Sequence, residues 1–140
     1  MKDSRDHILI SVKPQFSRLI ENGVKTVELR KKIPDNLSGK RVYIYSTCPE
    51  AKVIGFFEAN NVENLPLNQL WEKVKSISGM NQEDFFSYYE GKSDGYAIFF
   101  QKFVKLKRPV SLEALRKRNP NFVPPQSFRY IVPSKLLGKD

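Results

Sequence analysis

Hydrophobic and polar positions in the first third of the chain predict a strand, a helix and a second strand. His7–Val12 is short, apolar and β-branched, which is typical of a strand. Pro14 then opens a segment whose apolar residues recur at helical spacing, and Gly23 ends it. Apolar and polar residues alternate in Lys25–Lys32, so this segment predicts a strand with one buried and one polar face.

The middle of the chain changes from strands to helices. Arg41–Thr47 alternates in the same way, and Val53–Val62 is a β-branched and aromatic run, so both predict strands. Leu67–Ser78 carries an apolar stripe at helical spacing. Asn81 is a suitable N-cap for a second helix, which ends at Gly91.

The last third predicts two strands separated by a short helix. Gly95–Leu106 is a long aromatic and β-branched run, Ser111 caps a helix over Leu112–Lys117, and Ser127–Val132 forms the final strand. Ser134–Asp140 is expected to be a tail.

The order of these elements determines the expected fold class. Strands and helices do not alternate here as they would in a parallel α/β sheet. The pattern predicts a single α+β domain over residues 1–140, with its core at about 8–132. We expect a small, mostly antiparallel β-barrel with helices over its ends.

Charge adds the first indication of a partner. Lysine and arginine number 24 against 15 acidic residues, which gives a net charge of +9. A basic domain attracts polyanions, of which nucleic acid is the commonest, although such charges can also serve solubility alone.

With one cysteine, Cys48, and one histidine, His7, neither an internal disulfide nor a metal site is expected. No apolar run approaches the roughly 20 residues that span a bilayer, and the N-terminus has no signal-peptide core, so we expect a cytoplasmic protein, with a monomer favoured.

The strongest candidate site follows the Gly23 turn. Thr26, Glu28 and Arg30 are two residues apart along a strand and therefore share one face, while Lys25 lies at the turn and can swing to either side. Lys13, just after the first strand, could join them. Such a cluster can hold an anion through Lys25 and Arg30, with Glu28 orienting Arg30 or accepting a donor from a base or sugar. The alternative is an ion-pair ladder on a solvated strand face.

Three further positions and a run of cations are candidates on weaker grounds. Tyr96 could point its phenol into a cleft, or be a core tyrosine with a satisfied hydroxyl. Ser127 and Arg129 share a face of the last strand, and Arg129 suits a phosphate contact. A run of cations is either a phosphate-tracking patch or an ordinary solvated face: Lys102, Lys105, Lys107, Arg108, Arg116, Lys117 and Arg118.

Several of these blocks resemble the ASCH domain, a PUA-like family. The resemblance begins with Ile10–Pro14 (ISVKP) and Gly23–Lys31 (GVKTVELRK) and extends over residues 8 to 132. The later blocks are Leu70–Lys73, Phe85–Gly91, Tyr96–Ile98, Pro109–Leu112 and Pro124–Tyr130. The resemblance implies a barrel with a cleft floored by the Lys25–Arg30 strand, and a protein that binds RNA or acts as a transcription or translation co-regulator.

Relatives in this family also include enzymes, namely ribonucleases and hydrolases of acetylcytidine nucleosides. The motif lysine corresponds to Lys25, but Glu28 stands where the small amidohydrolases have a catalytic threonine. We therefore interpret the chain as a module that binds RNA or a modified nucleotide without a cofactor. Its binding residues would be Lys13, Lys25, Thr26, Glu28, Arg30, Ser127 and Arg129. The alternative is a hydrolase on the same cleft, with Lys25, Glu28 and Tyr96 as catalytic residues.

Overall fold

A computed structural model describes residues 7–138, which form eight strands and five helices. The strands are β1 (His7–Val12), β2 (Val27–Arg30), β3 (Arg41–Ser46), β4 (Lys52–Glu58), β5 (Asn61–Pro66), β6 (Asp94–Phe99), β7 (Phe103–Ser111) and β8 (Phe128–Ile131). The helices are α1 (Pro14–Glu21), α2 (Leu67–Val74), α3 (Gln82–Tyr88), α4 (Leu112–Arg118) and α5 (Pro133–Leu136).

The strands pair into two sheets. One has five strands in the order β7-β4-β3-β1-β8, and the other has three in the order β2-β6-β5. All pairs are antiparallel except β1 with β3. The α+β class and the largely antiparallel pairing are as expected, but within residues 7–138 the strands form two open sheets and not one closed barrel.

Two predicted strands are each divided by a corner between the sheets. Val53–Val62 was expected to be one strand, yet β4 lies in the five-stranded sheet and β5 in the three-stranded sheet. Gly95–Leu106 divides in the same way into β6 and β7. The two corners meet, because the backbone N–H of Gln101 donates to Asn60 Oδ1 at 3.0 Å. Strands that change sheets at bends are a known way to make such corners.

Three apolar layers follow from the alternation of side chains along the strands. Ile10, Ile44 and their neighbours fill the space between the two sheets. On its other face the five-stranded sheet packs Leu9 and Tyr43 in a cluster with Leu115 of α4 and Leu136 of α5. A third cluster joins the three-stranded sheet to α2 and α3.

Helix ends match the sequence signals in two places and differ in one. The Asn81 side chain accepts a hydrogen bond from the N–H of Asp84 at 2.8 Å, and Ser111 caps α4 through the N–H of Ala114 at 3.1 Å. The expected tail is wrong for residues 134–136, which belong to α5, because Leu136 is an apolar anchor buried against the sheet. Residues 139–140 of that tail lie outside the described residues. Within residues 7–138, each helix falls short of the length and apolar character that crossing a membrane requires.

Candidate functional site

Glu28 and Arg30 lie on the inner face of the three-stranded sheet. In the antiparallel register Glu28 is opposite Ile98 and Arg30 is opposite Tyr96. Ile98 belongs to the apolar layer between the two sheets. Since residues opposite one another share a face, Glu28, Arg30 and Tyr96 all project toward the five-stranded sheet.

Arg30 connects three parts of the chain through its guanidinium group. Its Nε and Nη2 lie 3.0 and 2.7 Å from Glu28 Oε2, so both contact one carboxylate oxygen. Nη2 also donates to the carbonyl of Ser11 at 2.9 Å, and Nη1 donates to the carbonyl of Ser127 at 3.2 Å. The sequence alternative of a solvated ladder is therefore wrong, because the Arg30 and Glu28 side chains are only 13% and 8% exposed.

The other carboxylate oxygen of Glu28 is uncommitted. Within residues 7–138, no hydrogen-bond donor contacts Glu28 Oε1. Arg30 holds Oε2, and the second oxygen can accept a hydrogen bond from a ligand N–H or O–H. The cavity beside Arg30 holds only about 10 Å³, which is room for roughly one water. A larger ligand would thus contact Arg30 mainly from outside this cavity.

Lys25 is buried and does not swing freely at the turn, which corrects the sequence expectation. It is 3% exposed, and its Nζ donates to the carbonyl of Ser78 at 2.6 Å. The ammonium also lies 5.3 Å from the centre of the Phe16 ring. Burial lowers the pKa of Lys25, the Glu28 carboxylate opposes that change, and the Arg30 cation adds to it.

Lys13 and Thr26 occupy the edges of this region. Lys13 is exposed and is the N-cap residue of α1, where its carbonyl accepts from the N–H of Phe16 at 2.9 Å. Thr26 is half-buried and precedes β2, and its carbonyl accepts from the N–H of Phe100 at 3.2 Å. Lys13 therefore presents its charge to solvent, whereas the backbone of Thr26 holds the two strands together.

The last strand does not bring its two candidates to one place. Ser127 is exposed, and its carbonyl accepts from Arg30. Arg129 is opposite Leu9 in the register, and Leu9 belongs to the layer under α4 and α5. The Arg129 guanidinium accordingly lies on the far face of the five-stranded sheet, 5.1 Å from the centre of the Phe122 ring. Arg129 and Arg30 do not form one cleft, because the strand register separates them.

Two tyrosines that support the site were treated as ordinary helix residues in the sequence. The Tyr88 hydroxyl donates to the carbonyl of Leu29 at 3.4 Å, and the Tyr89 hydroxyl donates to the carbonyl of Arg30 at 3.2 Å. Burial raises the pKa of both phenols, so both stay protonated as donors at neutral pH. They fix the backbone of β2 from the α3 side.

A second polar group, at the end of β3, also escaped sequence reasoning. The hydroxyls of Ser17 and Ser46 lie 2.8 Å apart, and Ser46 donates to Glu50 Oε1 at 2.6 Å. Arg18 Nη2 lies 3.3 Å from Glu50 Oε2. The two serines are 29 residues apart, and nothing in a single sequence predicts that they form a hydrogen bond. Across residues 7–138, no three His, Cys, Asp or Glu side chains gather as a metal site would require.

Similarity to known proteins extends over almost the whole chain. No protein-family model matches the sequence. An ASCH domain-containing ribonuclease from Zymomonas mobilis is 32% identical over 127 residues, which are 91% of this chain and 85% of the relative.

The crystal structure of the ASCH protein from Zymomonas mobilis agrees with this fold. It superposes with a TM-score of 0.84 at 30% identity, covering 94% of this chain and 91% of that chain. A tyrosine-to-phenylalanine variant of the same protein gives a TM-score of 0.86 at 29% identity, covering 92% of each chain. The sequence and structural similarity together place this chain in the ASCH domain family.

Proposed function

We propose that this protein binds RNA and that Glu28 and Arg30 contact a nucleotide at the mouth of the cleft between the two sheets. The observation that carries the proposal is the uncommitted oxygen of Glu28, held in place by Arg30. A fixed carboxylate oxygen suits the exocyclic N–H of a base, as glutamate does when it accepts from cytosine. Arg30 Nη1 makes one hydrogen bond to protein, so its second hydrogen can reach a phosphate or a base edge.

Charge around the cleft favours a polyanionic ligand. Lys13, Lys31 and Lys32 are exposed on either side of the β1–β2 region, and the whole chain carries a charge of +9. The relative from Zymomonas mobilis is named a ribonuclease, so RNA is the polyanion that a family member acts on. Binding without chemistry would suit a co-regulator of transcription or translation.

RNA cleavage is the second candidate function, and the name of that relative is the observation that favours it. Lys25, Glu28 and Tyr96 would then be the catalytic residues. Lys25 would have to leave the Ser78 carbonyl, and Glu28 would have to act while paired to Arg30. Binding therefore requires less rearrangement of the structure than cleavage does.

Fluorescence anisotropy with a labelled single-stranded RNA tests the binding proposal. Glu28→Gln keeps the side-chain shape and removes its charge, so affinity should fall by about 1–3 kcal/mol, the scale of a lost charge-assisted hydrogen bond. Glu72→Gln is the matched control, because Glu72 is exposed and lies on α2, away from the cleft. Equal RNA affinities of Glu28→Gln and wild type would contradict the proposed contact between Glu28 and a nucleotide.

Incubation of the same RNA followed by a denaturing gel tests cleavage. If Lys25 is catalytic, Lys25→Ala should lower the rate at saturating RNA. If Lys25 only supports binding, the variant should raise KM and leave that rate unchanged. Intact RNA after prolonged incubation with the wild type would leave binding as the function.

A further inference from the structure

A second basic surface lies on the opposite face of the five-stranded sheet from Glu28 and Arg30. It is a groove of about 520 Å³ between β7, α4 and the end of α5, within the range of roughly 300–1,000 Å³ that ligand pockets occupy. We call it the basic groove. Its four cations are Arg41, Lys107, Arg108 and Arg118, and its apolar lining includes Leu106 and Val110.

The positive charge of the basic groove is not neutralised by protein. No Asp or Glu is among the described residues that line it. Its four cations also take part in none of the ion pairs formed within residues 7–138. By contrast, Lys73 on α2 and Lys75 at its C-cap each have a carboxylate partner within 3 Å. A concave surface lined by one sign of charge concentrates oppositely charged ligands.

A β-bulge directs two of the cations into the groove. Lys105 pairs with Gly55 and Val110 pairs with Val53, so Leu106–Pro109 lie opposite the single residue Ile54. Such bulges bend a strand and re-aim its side chains. Lys107 and Arg108 lie within this bulge and are exposed, so the irregularity places both charges on the edge strand of the sheet.

The other two cations lie close against neighbouring residues. The Arg41 guanidinium stacks 4.2 Å from the centre of the Phe56 ring and donates from Nη1 to the Tyr43 hydroxyl at 3.2 Å. Arg118 passes over Gly138, where a Cβ would collide with the guanidinium and where φ is +80°. Arg41, which these contacts restrain, would therefore lose less side-chain entropy on binding a ligand than a free surface arginine would.

We propose that the basic groove binds the sugar–phosphate backbone of single-stranded RNA. Guanidinium groups bind phosphate oxygens in a bidentate manner, and lysine adds a point charge. The inference rests on the proposed RNA function and gives it a second contact surface, separated from the Glu28 cleft by the five-stranded sheet. Phosphate contacts carry no sequence information, so we expect the groove to contribute affinity more than sequence preference.

The test measures anisotropy of a labelled single-stranded RNA of mixed sequence over a series of salt concentrations. Lys107→Gln, Arg108→Gln and Arg118→Gln are combined in one variant. Its affinity should fall roughly tenfold or more at low salt, and the slope of log K against log salt should become shallower by about 2, at roughly 0.7 per phosphate. The pair Lys107→Gln and Arg108→Gln, confined to the exposed bulge, keeps the test valid if the triple variant does not fold.

A charge-matched control separates the groove from net charge. Lys73→Gln, Lys75→Gln and Lys92→Gln remove three charges from the α2–α3 side, and should change affinity much less. Equal losses of RNA affinity in both triple variants would contradict the proposed role of the basic groove, while the proposed RNA binding would remain supported. Absence of RNA binding by the wild type at the lowest salt would overturn both. Binding to phosphatidylserine vesicles but not to RNA would overturn the inference in favour of a membrane surface.

Discussion

The ring of Tyr89 occupies the space in which Gly95 would carry a side chain. A Cβ on Gly95 would lie 2.5 Å from Tyr89 Cζ and 2.7 Å from its hydroxyl oxygen. That hydroxyl donates to the carbonyl of Arg30 at 3.2 Å, so the close approach of α3 to β6 also fixes β2. Gly95 thus supports the site indirectly, by admitting the tyrosine that holds the backbone of Arg30.

Gly95→Ala should destabilise the protein by about 1–3 kcal/mol, the usual cost of forcing extra volume into a packed site. Urea unfolding followed by circular dichroism measures it. Tyr89→Leu in the same chain relieves the collision, so the double variant should lose less than the sum of the two single variants. Strict additivity would show that the ring and the glycine do not interact in this way.

Removal of one member of the Glu28–Arg30 pair should lower the free energy of unfolding more than removal of one member of an exposed ion pair. Arg30→Met leaves the Glu28 carboxylate buried without a partner, which costs about 3–5 kcal/mol. Glu28→Gln should cost less, since the amide oxygen still accepts a hydrogen bond. Urea unfolding of both single variants and the double variant gives the coupling energy.

The Arg18–Glu50 pair is the control for this cycle. Its side chains are 61% and 23% exposed, so its coupling should be about 0–1 kcal/mol. A coupling for Glu28 and Arg30 no larger than that would contradict the structural role given to them.

Lys25 should make stability rise with pH. Burial lowers its pKa below the ordinary value of 10.5, so between the lowered pKa and 10.5 the unfolded chain holds a proton that the folded chain has lost. The unfolded state then binds more protons, and the free energy of unfolding increases with pH across that window. Lys25→Met lacks this contribution.

The measurement is the difference in free energy of unfolding between wild type and Lys25→Met from neutral pH to about 10.5. The difference should grow with pH and level off near the upper limit. Taking a difference cancels the buried tyrosines, whose raised pKa values act in the opposite direction at high pH. Lys75→Met controls for the loss of one exposed lysine, and a difference independent of pH would contradict the lowered pKa.

Local patterns in the sequence predicted most elements but not their corners. Both caps at Asn81 and Ser111 were correct, because capping depends on residues only three apart. The bend between β6 and β7 was missed because only Gln101 and Lys102 interrupt the aromatic run there, and two polar residues do not by themselves indicate a corner. At this bend Gln101 contacts Asn60, which is 41 residues away along the chain, and a single sequence does not predict that contact.

The candidate site shows the same division between local and long-range information. Strand alternation placed Glu28 and Arg30 on one face, since that depends only on a period of two. The carbonyls that accept from Arg30 belong to Ser11 and Ser127, and a backbone acceptor leaves no mark in the sequence. Arg129 was assigned to the same ligand, but the β1–β8 register turns it to the other face of the sheet. That register is a long-range property, which the alternation along one strand does not predict.

Acetylcytidine should not be hydrolysed by this protein. The family resemblance implies relatives that are small amidohydrolases with a threonine at the position of Glu28, whereas Glu28 is here held by Arg30 at 2.7 Å. Lys25 donates to the Ser78 carbonyl at 2.6 Å from a site that is almost closed to solvent. An amide hydrolase needs an acid–base pair within reach of the substrate, and Lys25, buried on the Ser78 carbonyl, is not available to form one with Glu28. Chromatography of acetylcytidine incubated with wild type, Lys25→Ala and Lys75→Ala should show no cytidine in any sample. Release of cytidine and acetate by wild type and Lys75→Ala but not by Lys25→Ala would contradict this expectation, because it would show that Lys25 leaves Ser78 to act on the substrate.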